Sequence, residues 1–171
     1  MAKWALKHTP DQQQDEVTCA HATQQAQRAG KAMAQAEALC RTRGARLTPI
    51  RRKVLEALYA THKPMGAYDL AEILGPRGRR LAPITVYRAL DFLIEQGFVH
   101  RLASQNAYIA SPNEHEERES VTFLICENCG GVDEATSPAL SGALTELLAA
   151  QGFQPKGKVL EITGRCSHCQ E

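Results

Sequence analysis

The sequence predicts an α+β fold, with an N-terminal winged helix-turn-helix domain and a small C-terminal α/β domain. Two observations predict it. Three short amphipathic helices and a β-hairpin follow one another before residue 111, which is the element order of a winged helix-turn-helix. Two Cys-x-x-Cys pairs then enclose a β-β-α-β pattern. We expect an N-terminal extension over residues 1–32, the winged-helix domain over 33–104 and the second domain over 105–171.

The N-terminal extension is rich in Ala and Gln and has few large apolar side chains. That composition predicts a mobile lead-in or a loosely docked helix. Residues 33–43, MAQAEALCRTR, are good helix formers, and Gly44 is expected to end their helix.

The three helices of the winged domain follow from apolar periodicity and from their end signals. Thr48 is the expected N-cap of the first, with Pro49 at the first helical position. The short second helix lies in AYDLAEILG, and the third runs from Pro83 to Gly97. The residues expected to face the core are Val54, Leu55, Leu58 and Tyr59; Leu70, Ile73 and Leu74; and Val86, Leu90 and Leu93.

The remaining elements are read in the same way. FVHRLASQNAYIA has β-rich segments on both sides of SQN and predicts a hairpin. The polar, acidic SPNEHEERES predicts a loop, and VTFLICENCGGVDEA predicts a strand, a tight turn and a second strand. PALSGALTELLAAQ predicts an amphipathic helix, and KVLEITGRCSHCQE ends the chain with a strand and a second tight turn. The leucines expected on one side of this helix are Leu140, Leu144, Leu147 and Leu148.

The net charge of +1 hides an asymmetry. Residues 41–103 carry 12 Lys and Arg against 5 Asp and Glu, whereas residues 104–171 carry 4 against 10. A basic half suits a polyanion such as double-stranded DNA. The sequence contains no run of about 18 apolar residues, so it predicts no membrane span. Its first residues, MAKWALKHTPDQQQ, lack the apolar segment of a secretory signal. We therefore expect a cytoplasmic protein without a membrane partner, whose six cysteines are metal ligands or redox thiols.

The two Cys-x-x-Cys pairs, Cys126 with Cys129 and Cys166 with Cys169, have the spacing of a four-thiolate zinc site. Four protein ligands leave no open coordination position, so the site would be structural. The alternatives are two separate redox pairs or free thiols, and His168 could replace one cysteine as a ligand. Cys40 reads as a small buried apolar residue.

A thiol oxidoreductase is the enzyme alternative for such pairs. However, the chain shows no thioredoxin-like βαβ context, and no P-loop, G-x-S-x-G or H-E-x-x-H motif occurs. We therefore predict that the protein is not an enzyme and has no small-molecule substrate.

Several segments together resemble the ferric uptake regulator superfamily and, within it, zinc uptake regulators. They are LTPIRRKVLEAL, AYDLAEIL, TVYRALDFLIEQGFVHRL, CENCG and the C-terminal CSHC, over about residues 35–169. The resemblance implies a homodimeric repressor that binds a palindromic operator when zinc is bound and controls zinc-import genes.

The resemblance also implies DNA-contacting residues. Tyr87 and Arg88 of the third helix would approach bases, and Tyr68 would touch the backbone or a base. The residues alone agree on Arg88, since an arginine on the outer face of a recognition helix can pair with guanine O6 and N7; Tyr87 could instead belong to the core. Candidate phosphate contacts, which position the protein without specifying sequence, are Arg51, Arg52, Arg79 and Arg80.

In zinc uptake regulators a second, regulatory zinc is held by a His, a Cys, a loop His and a Glu. His100 and Glu134 match the first and last, but Ser111 stands at the Cys position and Glu119 at the loop His position, while the nearby loop His is His115. We expect a site of His100, His115 and Glu134, with Glu119 as a further candidate and Ser111 as a poor ligand. Each chain would then carry one structural and one regulatory zinc.

A regulatory metal held by both domains would set the spacing of the two recognition helices in a dimer. The metal could act only by binding more tightly to one arrangement of the two domains than to another. Because oxygen-rich sites discriminate poorly between divalent metals, a family member that senses another divalent metal is one alternative. A constitutive DNA-binding dimer with only the structural zinc is the second alternative.

Overall fold

The computed structural model describes residues 20–76, 79–111 and 120–170, with side chains from Ala29 onward. The element order confirms the predicted α+β class. The helices are α1 (Ala20–Thr42), α2 (Pro49–Tyr59), α3 (Ala67–Ile73), α4 (Pro83–Glu95) and α5 (Pro138–Ala150). The strands are β1 (Val99–Leu102), β2 (Ala107–Ala110), β3 (Val121–Cys126), β4 (Val132–Thr136) and β5 (Val159–Gly164). A short 3₁₀ turn spans Ser167–Cys169.

One hydrophobic core is formed by the helices α1, α2, α3 and α4 together with the inner side of the β1–β2 hairpin. The predicted apolar faces of α2 and α4 are buried in it. α1 contributes the small residues Ala32, Ala36 and Cys40, which let it lie close to α2. The helix predicted over residues 33–43 is thus the second half of a longer one, and Gly44, with φ +65°, follows its end as expected.

One local prediction needs correction. Ile73 is 61% exposed, because α3 has only seven residues and ends there, while Leu74 takes up part of the packing. Thr48 occupies the N-cap of α2 as expected, although its side chain does not make the capping hydrogen bond. The predicted helix α5 forms, but none of its residues is buried among the described part of the chain, and Leu147 is 58% exposed.

The hairpin forms the wing. β1 and β2 are antiparallel, and a turn over residues 103–106 joins them. The predicted domain boundary between residues 104 and 105 lies in this turn. Met65 adds a bridge to Tyr108 through two backbone hydrogen bonds of 2.9 and 2.8 Å.

The C-terminal sheet has the order β4-β3-β5, with β3 antiparallel to β4 and parallel to β5. Phe123 lies at its centre, paired with Glu134 on β4 and with Glu161 on β5. Directly paired residues point to the same face of a sheet. These three side chains therefore form one transverse row across the sheet.

A second core joins the wing to this sheet. Its members are Leu102 and Ile109 from the wing, and Val121, Phe123, Ile125 and Val132 from the sheet. The wing is therefore packed between the helices of the first domain and the sheet of the second. Among the residues described, no helix is long and apolar enough to cross a membrane.

The second core predicts a stability difference between two apolar truncations. Phe123→Ala should lower the free energy of unfolding by about 3–5 kcal/mol, because Phe123 is fully buried and its removal leaves a cavity. Ile73→Ala, at an exposed position, should change it by no more than about 0.5 kcal/mol. Urea unfolding of the metal-loaded protein, followed by circular dichroism, measures both. Equal losses would contradict the central place given to Phe123.

Candidate metal centre and nucleic-acid interface

The four cysteines of the two pairs converge as the sequence predicts. Their sulfur atoms all lie within 4.8 Å of one another. A zinc tetrahedron with bonds of about 2.3 Å has edges of about 3.8 Å, so this arrangement is near the geometry of a four-thiolate site. His168 is exposed and does not belong to the cluster.

The electrostatics of the cluster also fit a cation. The backbone N–H of Cys129 and that of Cys166, at 3.4 Å, donate to Cys126 Sγ and lower the pKa of this thiol to about 6. Burial and the neighbouring thiols raise the pKa of Cys129 to about 12. One thiolate forms readily, whereas further thiolates repel it at this distance unless a metal ion neutralises them.

The cluster joins the ends of two strands. Cys126 is the last residue of β3, and Cys166 follows β5 by two residues. β3 and β5 are parallel, so these ends meet at the same edge of the sheet. The Glu127 N–H donates to the Gly164 carbonyl at 2.8 Å and holds the two ends together. A metal here would fasten the sheet at that edge.

A second group of candidate ligands meets at the junction of the two domains. The His100 ring, from β1, contacts the Phe123 ring with centroids 5.1 Å apart. Glu134 is paired with Phe123 across the sheet, so its side chain is on the same face. Both His100 Nε2 and Glu134 Oε2 are buried. The wing histidine and the sheet carboxylate therefore face the same interior region from opposite domains.

Ser111 is 4% exposed and its backbone is held on both sides. Its N–H donates to the Phe98 carbonyl at 2.9 Å, and its carbonyl accepts from the Tyr59 hydroxyl at 3.1 Å. His115 and Glu119 lie outside the described residues.

Tyr59 belongs to the core as the sequence predicts, but its hydroxyl has a role that the apolar periodicity of α2 does not indicate. Burial and then the charge of Glu134 raise the pKa of Tyr59 to about 12, so the hydroxyl stays protonated and donates to Ser111. Tyr59 thereby connects α2 with the region of Ser111 and Glu134. The only available signal was its position at the end of an otherwise apolar face, where a tyrosine usually finds a partner for its hydroxyl.

The predicted base-reading residues have different surroundings. Arg88 is exposed on α4, and Tyr68, near the start of α3, is 62% exposed. Tyr87 is half-buried and packs on the core, in agreement with the interpretation of it as a core residue. Arg51, Thr85 and Arg88 line a cavity of about 240 Å³ between α2 and α4.

The four candidate phosphate contacts differ in what holds them. Arg51 lies over the Phe92 ring, 3.5 Å from its centroid, and donates to the Arg46 carbonyl at 2.7 Å. The other side chains are more exposed. Arg52 pairs with Glu37 and Glu56, Arg80 pairs with Glu72 at 3.0 Å, and Arg79 is exposed next to Arg80.

Comparison with known proteins agrees with this architecture. The family model described as "Ferric uptake regulator family" matches residues 42–163. The chain is 38% identical over 139 residues to the zinc uptake regulation protein of Escherichia coli K12, covering 81% of each chain. A structure of a zinc uptake regulator complexed with zinc and DNA superposes with a TM-score of 0.75 at 36% identity, covering 83% of this chain and 95% of that one. Holo XcZur gives a TM-score of 0.72 at 41% identity, with coverages of 83% and 98%.

The cysteine cluster predicts a selective effect of single cysteine replacements. Cys126→Ser should remove one tightly bound metal ion per chain and unfold the C-terminal domain, because a structural site contributes directly to folding. Cys40→Ala, outside the cluster, should keep the metal content unchanged. Elemental analysis after gel filtration, with circular dichroism, measures both. A folded Cys126→Ser protein with full metal content would remove Cys126 from the site.

Proposed function

The chain belongs to the ferric uptake regulator family, and we propose that it is a zinc-responsive transcriptional repressor of zinc-uptake genes. The observation that carries the proposal is that His100 of the wing contacts Phe123, the residue paired with Glu134 of the sheet, and that His100 Nε2 and Glu134 Oε2 are both buried. A metal ion bound there would hold the DNA-reading half in a defined position on the other half. The likeness to zinc uptake regulators supports zinc as this metal.

We assign two zinc ions to each chain. The structural one would be held by Cys126, Cys129, Cys166 and Cys169. The regulatory one would have His100 and Glu134 as ligands, with His115 and Glu119 as further candidates and Ser111 as a poor one. Bound there, zinc supplies a positive charge that joins nitrogen and oxygen donors of both domains.

DNA recognition would use the outer face of α4. Arg88 is free to reach guanine in the major groove, with Tyr87 and Tyr68 beside it at the DNA surface. Arg51 and Arg79 are the better placed phosphate contacts, since Arg52 and Arg80 are paired with carboxylates of the chain itself. Phosphate contacts would position the helix without specifying sequence.

We propose that the protein works as a homodimer on a palindromic operator in the cytoplasm. The C-terminal domain has large apolar side chains that are exposed among the described residues. They are Leu124, Leu140, Leu147, Phe153, Val159 and Ile162. Exposed apolar patches of this kind mark interaction surfaces, and a two-fold dimer would place two recognition helices on two half-sites.

Two alternatives differ in the effector. Ser111 replaces a sulfur donor with a hydroxyl, which makes the regulatory site less selective and favours a family member that senses another divalent metal. A constitutive DNA-binding dimer with only the structural zinc would show no metal response at all. A thiol oxidoreductase is disfavoured because all four cysteines gather in one cluster instead of two separate pairs.

The central prediction is a zinc-dependent gain in operator affinity that requires His100. Fluorescence anisotropy would follow binding to a duplex selected from random DNA by the zinc-loaded protein. The titration would start from protein treated with a mild chelator that spares the four-cysteine site, with iron and manganese in parallel. We expect tight binding only with zinc in the native chain, and none of this response in His100→Ala.

The control is His168→Ala, which removes an exposed histidine outside the cysteine cluster and should keep the zinc response. Binding indifferent to every metal would sink the sensor proposal and leave a constitutive regulator. A response to iron or manganese alone would change the effector but not the mode of action.

Replacement of Arg88 and replacement of Arg52 should affect DNA affinity in different ways. Arg88→Ala should cost about 1–3 kcal/mol on the selected operator and much less on random duplex, because the lost contact reads a base. Arg52→Ala should weaken binding to both duplexes alike or leave both unchanged, since it touches phosphate at most. Parallel titrations on the two duplexes measure this. An equal loss for Arg88→Ala would recast Arg88 as a phosphate contact.

A further inference from the structure

The sheet holds the tip of the wing through one carboxylate. Glu161, on β5, accepts hydrogen bonds from the Ala103 N–H at 2.7 Å, from the Ser104 N–H at 3.1 Å and from the Ser104 hydroxyl. Burial alone would raise the pKa of this carboxyl, but these three donors lower it below its ordinary value. Glu161 is therefore ionised at neutral pH, and its bonds to the turn are of the stronger, charge-assisted kind.

These bonds connect the two domains. Ala103 and Ser104 belong to the turn between β1 and β2, whereas Glu161 lies 57 residues or more further along the chain in the C-terminal sheet. Hydrogen bonds to a carboxylate require a defined direction as well as a distance. The apolar packing of Leu102 and Ile109 beneath them is less directional. Glu161 therefore fixes the orientation of the wing on the sheet more narrowly than the apolar packing of the second core does.

Glu161 also stands in the transverse row with Phe123 and Glu134. Glu134 lies at one end of this row, at the junction assigned to regulatory zinc, and Phe123 in the middle contacts the His100 ring. Glu161 lies at the other end and holds the wing tip. Neighbouring strands hold the three side chains about 5 Å apart, so the wing contacts this row at its Glu161 end and, through His100, at Phe123 in its middle.

The same contact determines whether the wing tip faces the sheet or the DNA backbone. Backbone N–H groups such as those of residues 103 and 104 can bind phosphate oxygens of DNA. Here a carboxylate already accepts from them, and its negative charge would repel a DNA phosphate. The tip of this wing is thus directed at the sheet instead of the DNA backbone.

We propose that Glu161 is a positioning residue that holds the wing on the sheet, and so sets the placement of the two recognition helices on a two-half-site operator. The proposal rests on the proposed function for its effect on DNA, but the contact itself can be tested without DNA. In this role Glu161 touches neither metal nor DNA. It acts through the turn over residues 103–106 and the wing.

The first experiment measures amide hydrogen exchange in the turn of the full, zinc-loaded protein. Glu161→Gln keeps the size of the side chain but turns an NH₂ donor toward groups that are donors themselves. We expect faster exchange of the amides of residues 103 and 104, with unchanged exchange in α4. Glu146→Gln removes the same charge from an exposed position on α5 and should change neither. Unchanged exchange at residues 103 and 104 in Glu161→Gln would overturn the contact.

The second experiment separates positioning from folding and from DNA contact. Zinc-loaded native protein, Glu161→Gln and Glu146→Gln would each be titrated with the selected operator and with a duplex that carries only one half-site. For Glu161→Gln we expect a loss of about tenfold on the whole operator, roughly the effect of one charge-assisted hydrogen bond. Half-site binding should stay within about twofold, because α4 is intact. Removal of a negative charge alone would strengthen DNA binding, so the expected sign is opposite to a general charge effect.

The outcomes are distinguishable. Equal losses on both duplexes would mean that Glu161 only supports the fold, and no loss on either would remove its positioning role. If native protein fails to bind the operator with zinc, the proposed function fails, while the exchange experiment still decides whether Glu161 holds the wing. Ser104→Ala, which removes one of the three donors, should give a smaller whole-operator loss in the same direction.

Discussion

The packing of the wing on the C-terminal sheet is the contact on which the rest of the molecule depends. α4 is held by the first core, the first core includes the inner side of the hairpin, and the outer side of the hairpin packs on Phe123. The direction of the recognition helix is thus transmitted through a wing that is buried on both faces. If the sheet of one chain is joined to that of a partner, every contact of Phe123 and its row neighbours contributes to the distance between two recognition helices.

The two proposed metal sites would have separate physical roles. The cysteine cluster lies at the ends of β3 and β5, which are also the strands that carry Phe123 and Glu161. A metal held there would make the sheet a more rigid support. His100 and Glu134 come from different domains, so a metal held by both would change the relative stability of the arrangements of those domains. A regulator needs both, since a metal that bridges two soft supports would transmit little.

The parts of the fold that follow from local pattern could be predicted from the sequence. Two-residue spacers bring paired thiols to one ion, so Cys126 and its partners were found by spacing alone. The periodicity of α2 and α4 located the first core. The prediction for Ile73 was wrong because periodicity does not show where a short helix ends. Leu147 of α5 is 58% exposed although it is apolar, and it belongs to the surface that the proposed dimer would cover. Glu161 was missed because a contact over 57 residues, between two domains, has no local signature.

In the proposed regulatory site, the serine at position 111 would change one ligand and leave the backbone in its place. Tyr59 and Phe98 hold the carbonyl and the N–H of Ser111, so two backbone hydrogen bonds fix the chain at this position. Exchange of sulfur for a hydroxyl therefore alters the donor and leaves its place intact. The remaining donors from His100 and Glu134 are nitrogen and oxygen, which bind zinc less selectively than thiolate does. Selectivity for the metal would then depend on His115 and Glu119, whereas the mechanical coupling would depend on the row that runs from Glu134 through Phe123 to Glu161.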